Sequence, residues 1–379
     1  MLYPELFDKR LQMLDNVMNH VENEYVPTVS LAQTWAMSYA GETATTTMTS
    51  QKHEFDVYAK YLIDLGFDMT LLFGMNRPLD LYDKLGYSPF FFSADDITLQ
   101  NQDACLIPDK ELDEFIADPV KFMRNKMIYR RYPAFREEPM KSVVLSLARM
   151  MKFNMKNQSM NKYLRENAGV PTLVAGDLYE PALDRYVGWR SFAKGMTDMR
   201  RRPDKVLEAV DVIYDQIAKP MPGEKKPFPL GFVPVVSATY LSQEAYDKFF
   251  WPTFKKLIDT IIEDGGRVTV ALEGTWGPGK YERFLEFPKN KLLLFLEGDD
   301  MVEVHKVLGD HCALSGGMDA ELLRSGTPQQ NIDKAKEVLD ACGTTGILLS
   351  PGKCLLSPND AKAINMKCVN DFVHEYTRK

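Results

Sequence analysis

The chain has 379 residues, 45% hydrophobic and 26% charged, with a net charge of −7. This length and balance describe a globular protein with a sizeable core, and the acidic sum argues against a general nucleic-acid binder, which needs a basic face. No apolar run reaches bilayer length, MLYPELFDKRLQML lacks a signal-peptide core, and five cysteines without close pairing point to a reducing cytoplasm.

Residues 1 to 60 read as helical, with the polar stretch GETATTTMTS (41–50) as an exposed loop between Trp35 and His53. MTLLF (69–73) is a candidate strand. Residues 110 to 166 read as helices rich in Met, Lys and Arg, and the methionines between Met140 and Met160 as adaptable packing. The short basic clusters Arg130-Arg131 and Arg200-Arg201-Arg202 read as solvated helix faces. TLVAG (172–176) is a further candidate strand.

From Gly231 onward, apolar strands alternate with amphipathic helices. GFVPVVSA is followed by a helix capped at Ser242, bent or broken at Pro252 and ended by Gly265-Gly266. VTVAL, LLLFL, CALS and GILLS follow as strands. Thr327-Pro328-Gln329-Gln330 predicts a capping-box start for the helix that stops before Gly343. A last helix is expected from about Ser357, burying Ile364, Val369, Phe372 and Val373. This alternation implies a parallel sheet, and an eight-stranded (β/α)8 barrel is the economical closure.

Two strands carry the chemical signal. VTVAL and LLLFL are each followed at once by Glu-Gly, which puts Glu273 and Glu297 at the carboxyl ends of successive strands. In a barrel that edge is the functional mouth. Two carboxylates there suit a metal site or an acid/base pair, and each also suits a helix cap or an ion pair with lysine. Trp276, on the loop after Glu273, is a candidate wall for an aromatic substrate. His305 and His311 read as helix and turn residues away from that edge. CxxC, HExxH, P-loop and GxGxxG patterns are absent, so nucleotide-dependent chemistry has no support.

FVPVVSATYLSQEAYDKFFWPTFKKLIDTIIEDGG resembles the uroporphyrinogen decarboxylase superfamily, as do LGDHCALSGGMDAELLRSGTPQQNIDKAKEVLDACGTTGILLSPGKCLLSP and FSADDITLQNQDACLIPDKELDEFIADPVKF. The resemblance spans about residues 55 to 375 and is most specific in the C-terminal half. It implies an α/β fold, a distorted (β/α)8 TIM barrel over residues 56–379 with an N-terminal helical extension over residues 1–55. Decarboxylases of this superfamily carry an arginine-bearing N-terminal signature for a substrate with eight carboxylates. PTVSLAQTWAMSYAGE stands there with no arginine, so those carboxylates would lose their charge-assisted hydrogen bonds.

The chain looks closer to the corrinoid-dependent methyltransferase branch. In its thiol-activating members a His-x-Cys-Gly motif and a late cysteine bind zinc. Here Ala271 stands at the His position, Glu273 at the first Cys, and Cys354 in the last loop with Lys353 as an insertion. The resemblance therefore implies Zn²⁺ held by Glu273, Glu297 and Cys354. It also implies a methyl group passed from a methoxyaryl, methylamine or methylthio compound to the Co(I) corrinoid of a partner protein. Asp68, Tyr240 and Asp319 match pocket positions; Asp319 also suits a helix cap. The alternatives are a metal-free decarboxylase with Glu273 and Glu297 as acid and base, and a non-catalytic tetrapyrrole binder. No nucleic-acid or membrane partner is expected, and homodimerisation is left open.

Overall fold

The computed structural model describes residues 2–174, 178–223, 226, 228 and 230–379. The strands among them are β1 (Val29–Ser30), β2 (Met69–Thr70), β3 (Phe90–Phe92), β4 (Leu99–Asn101), β5 (Gly231–Val235), β6 (Val268–Leu272), β7 (Leu292–Leu296), β8 (Ala313–Met318) and β9 (Ile347–Pro351). β5 to β9 form one parallel sheet in sequence order, with Gly231 opposite Val268, Val268 opposite Leu292, Leu293 opposite Ala313 and Leu314 opposite Ile347. The five apolar runs expected as strands from Gly231 onward are these five.

β1 and β2 make a second parallel pair, Val29 opposite Met69. Single parallel bridges continue the circuit from this pair, Thr28 to Leu349 on one side and Thr70 to Thr172 on the other. The Leu230 N–H donates to the Leu173 carbonyl at 2.9 Å. The regular ladder thus covers five strands and does not itself close. Bridges and lone hydrogen bonds mark the other staves of a distorted (β/α)8 barrel. Of the expected strand 172–176, Thr172 makes one bridge, and Ala175 and Gly176 lie outside the described residues. β3 and β4 are a separate antiparallel hairpin.

Strand side chains alternate between two apolar layers, as a period of two requires. Leu292, Leu294 and Leu296 join the large cluster under the helices, while Leu293 and Phe295 point into the barrel. Val268, Val270 and Leu272 face the helices in the same way, and Ala271 the interior. Extending both alternations by one residue turns Glu273 and Glu297 inward, at the carboxyl edge. The other end is plugged: Met13, Leu14, Val17 and Met18 of the helix Tyr3–Met18 share the interior cluster with Val29, Met69 and Leu348. The first 55 residues therefore supply a stave and the floor of the barrel, more than an extension packed on it.

The helix after β5 is capped by Ser242, which accepts the Ala245 N–H, and passes through a π turn, Tyr246–Phe250, before Trp251–Glu263. That wider turn accommodates the missing N–H of Pro252 without ending the helix. The capping box of Thr327 and Gln330 starts Pro328–Cys342 as expected. The last helix starts later, at Ala363, because the Asp360 carboxylate takes the N–H groups of Leu356 and Ser357 in a turn. Ile364, expected inside, is exposed. The methionine expectation also fails. On the long helix Pro139–Asn167 Met160 is buried, but Met140, Met151 and Met155 are exposed, because little of that helix packs on the body. No helix among the described residues is long and apolar enough to cross a membrane.

Candidate active site

The loops after β6 and β7 are laced together at the mouth. The Gly274 N–H donates to Glu297 Oε2 at 2.6 Å, and the Gly298 N–H to the Gly274 carbonyl at 3.1 Å. Asp299 accepts the N–H groups of Trp276 and Gly277 at 2.8 and 2.9 Å. Gly274 is required here: its φ is +71°, and a Cβ would meet Thr239 Oγ1 at 2.5 Å. The Glu-Gly pair read from sequence is thus a close crossing of loops as well as a carboxylate.

Glu273 keeps an exposed surface at the open mouth, although the crossing loops crowd its carboxylate, and among the described residues that carboxylate has no ion-pair partner. Burial, then the charges of Glu297 and Asp184, push its pKa up to about 7. Asp184, on the helix Ala182–Arg190, accepts the Val236 and Ser237 N–H groups at 3.0 Å each, and burial pushes it up to about 6. Cys354, after β9, lines a cleft with Leu31, Ala32, Gln33, Leu71 and Leu72. Burial, then Glu273, push its thiol up to about 12, with Glu297 adding to the rise and Arg77 opposing it. Arg77 Nη1 donates to Gln33 Oε1 at 3.0 Å. Glu273, Glu297 and Cys354 therefore feel one another across the mouth. Among the described residues, however, no three His, Cys, Asp or Glu side chains are already grouped to hold a metal ion.

The other expected residues have different settings. Tyr240 lies on the loop after β5, exposed, with its ring edge-on to Phe192 at 5.0 Å. Trp276 is no open wall: it is buried against Tyr246, Phe250 and Phe284, and its Nε1 donates to the Glu273 carbonyl at 3.3 Å. It fixes the backbone of Glu273 from behind. Asp319 follows β8 and caps the helix Ala320–Ser325 by accepting the Leu322 N–H at 3.0 Å. Asp68 is a correction. It precedes β2, which places it at the foot of the barrel, fully buried and held by Arg10, Tyr25, Thr28 and His374. It cannot reach a substrate at the mouth. His311 Nε2 pairs with the Phe287 carbonyl at 2.7 Å, a packing role.

Three mouth residues were missed from sequence. Arg77 follows the β2 strand that was legible, but seven residues on, and Gln33 follows β1, which the sequence does not mark as a strand. Asp184 gave no signal, because its helix returns to the β5 loop through tertiary packing alone.

A family model described as uroporphyrinogen decarboxylase (URO-D) matches residues 187–376, half of the chain, which include Tyr240, Glu273, Glu297, Asp319 and Cys354. Among solved structures, a methyltransferase from Methanosarcina mazei is similar in fold, with a TM-score of 0.64 at 13% identity, over 97% of this chain and 98% of that one. No curated protein sequence matches the chain significantly.

Proposed function

The chain belongs to the uroporphyrinogen decarboxylase family, and on that footing we propose that it is a methyltransferase of the corrinoid-linked kind. It would move a methyl group from a small methoxyaryl, methylamine or methylthio compound to the Co(I) corrinoid of a partner protein. Supporting this reading are the likeness in fold to a methyltransferase and the N-terminal segment without arginine. What carries it is the mutual electrostatic influence of Glu273, Glu297 and Cys354, with no ion pair from either glutamate to a basic side chain among the described residues.

Two carboxylates and a thiol suit Zn²⁺ in kind, although they are not grouped in advance. Bound there, zinc would draw electrons from the substrate heteroatom and so ease departure of the methyl group. The chain's own part is positioning. Glu297 and Asp299 fix the β6 loop to the β7 loop, and Trp276 holds the Glu273 carbonyl, so the donor face keeps its shape while the methyl-bearing bond is aligned. Glu273, raised to about 7, and Cys354, raised to about 12, would shed protons as they bind the cation. Zinc uptake should therefore release protons and strengthen with pH.

Protein purified without chelators should carry about one zinc per chain, since three protein donors with an open position make one site, and Glu273→Ala should lose it. The right substrate should convert a Co(I) corrinoid protein to its methyl-Co(III) form, read by absorption. An empty site in both proteins together with no spectral change for any of the three substrate classes overturns the reading. The second reading, a metal-free decarboxylase, is favoured by one observation: a carboxyl at about 7 is poised as a general acid. It requires turnover that persists in chelator.

A further inference from the structure

We propose that Arg77 and Arg131 form a subsite for a carboxylate on the methylated substrate, facing the glutamates and Cys354 across the mouth. This rests on the methyltransferase reading for the identity of the ligand, and on geometry for the site itself. Arg77 is half-buried, its guanidinium stacks over Phe90 at 4.5 Å, and its hydrogen bonds go to the amide oxygens of Gln33 and Asn76, at 3.0 Å each. None of these partners carries charge. Arg131 has a buried Nε with no hydrogen-bond partner. Its neighbour Arg130, by contrast, is satisfied by Glu111 and the Leu106 carbonyl. Neither Arg77 nor Arg131 has a carboxylate within ion-pair distance among the described residues.

The two arginines share a setting. Both act on the Tyr82 hydroxyl, whose ring stacks with that of Tyr132 at 6.4 Å and 7° between planes. Arg77 acts also on Cys354, and Gln33, its hydrogen-bond partner, lines the cleft beside that thiol. Arg131 acts on Glu180, Glu180 on Asp184, and Asp184 on Glu273. Arg77 thus borders the Cys354 cleft through Gln33, and Arg131 joins it through the stacked pair Tyr82 and Tyr132.

A half-buried guanidinium with only amide partners, as at Arg77, and a buried Nε left unpartnered, as at Arg131, are costly, and a bidentate carboxylate is the partner whose planar geometry they match. A substrate carrying a carboxylate at one end and a methylated heteroatom at the other would reach from the arginines to the glutamates. The carboxylate would then fix which atom meets the glutamates. Neutral methylated compounds would lack this anchor.

Binding can be tested without corrinoid or metal, by calorimetry with matched pairs: a methoxybenzoate against the methoxybenzene that lacks the carboxylate, and a methylthio-carboxylic acid against its methyl ester. The carboxylates should bind the wild type roughly ten- to hundredfold more tightly than their neutral partners, the span of a charge-assisted hydrogen bond. Arg77→Gln and Arg131→Gln should each remove most of that preference and leave neutral ligands unchanged. Arg77→Lys should keep part of it, and the exposed Arg136→Gln none of the loss. Equal binding within each pair by the wild type, or full preference in both glutamine variants with folding intact by circular dichroism, overturns the subsite. Preference that depends on the arginines, in a protein that transfers no methyl group, would retain the subsite and remove only the methyltransferase reading.

Discussion

At the foot of the barrel, Asp68 has no exposed surface and receives Arg10 at 3.1 Å, the Tyr25 hydroxyl at 3.1 Å, the Thr28 N–H at 2.9 Å and His374 at 2.8 Å. Burial works against its charge, yet His374, Arg10 and the Thr28 N–H outweigh burial and hold its carboxyl below the usual range. At the mouth, Glu273 has no such company, and burial and two neighbouring acids push it up to about 7. Where the fold uses a carboxylate for cohesion, it surrounds it with donors. Where it leaves acids facing one another, the missing counter-charge is left for a ligand to bring.

The largest effect expected from this contrast is on activity. Glu273→Gln or Glu297→Gln should lower methyl transfer about a hundredfold or more, since even second-shell partners of a metal site are worth ten- to hundredfold. Single-turnover absorption of the corrinoid partner measures it. The same Glu273→Gln change should leave stability level or higher at pH 8, because the charge it removes has no partner. Asp68→Ala should do the reverse. It strands Arg10 and His374 at the foot and should cost about 3–5 kcal/mol, the penalty of breaking a buried charge pair. Urea unfolding at pH 7 reads this as a lower midpoint at unchanged slope. A midpoint that does not move would erase the distinction between the two ends.

Acid titration sharpens the contrast, because the two groups have opposite signs. Asp68 is depressed in the fold, so its contribution is present above its unfolded value and is lost as pH falls through the folded one. Glu273 is raised from 4.5 to about 7, so the native metal-free protein binds the extra proton in that interval. Its contribution to stability therefore declines as pH rises through the interval. Midpoints measured between pH 4 and 8 should show the decline in chelator-treated wild type, and a smaller one in Glu273→Gln. The smallest effect lies away from both ends. Thr327→Ala deletes a helix cap and should cost about 1 kcal/mol with methyl transfer unchanged.

The laddered half of the barrel was legible because VTVAL and LLLFL are short apolar runs whose every second residue has a buried home on one side or the other. The bridged half was much less so. β1 is two residues, Val29 and Ser30, inside a stretch that otherwise reads as helix and loop, and its place is set by pairing with Met69 and Thr70. Site residues divide along the same line. Glu273 and Glu297 sit one residue past well-marked strands, so their edge could be read. Asp68 sits one residue before a strand, and resemblance to a pocket position obscured what strand direction alone implies: it lies at the opposite end. The open Trp276 wall was misjudged because burial behind a loop depends on rings from a distant helix, Tyr246 and Phe250. Asp184 had no local signature at all.

The lacing of the β6 and β7 loops bears on how the mouth can admit a ligand. Glu297 and Asp299 between them hold three backbone N–H groups of the β6 loop, at Gly274, Trp276 and Gly277. The acidic side must then travel as a single plate, and breathing that widens the entrance falls to the opposite rim, where two-residue staves and isolated bridges offer the fewest restraints.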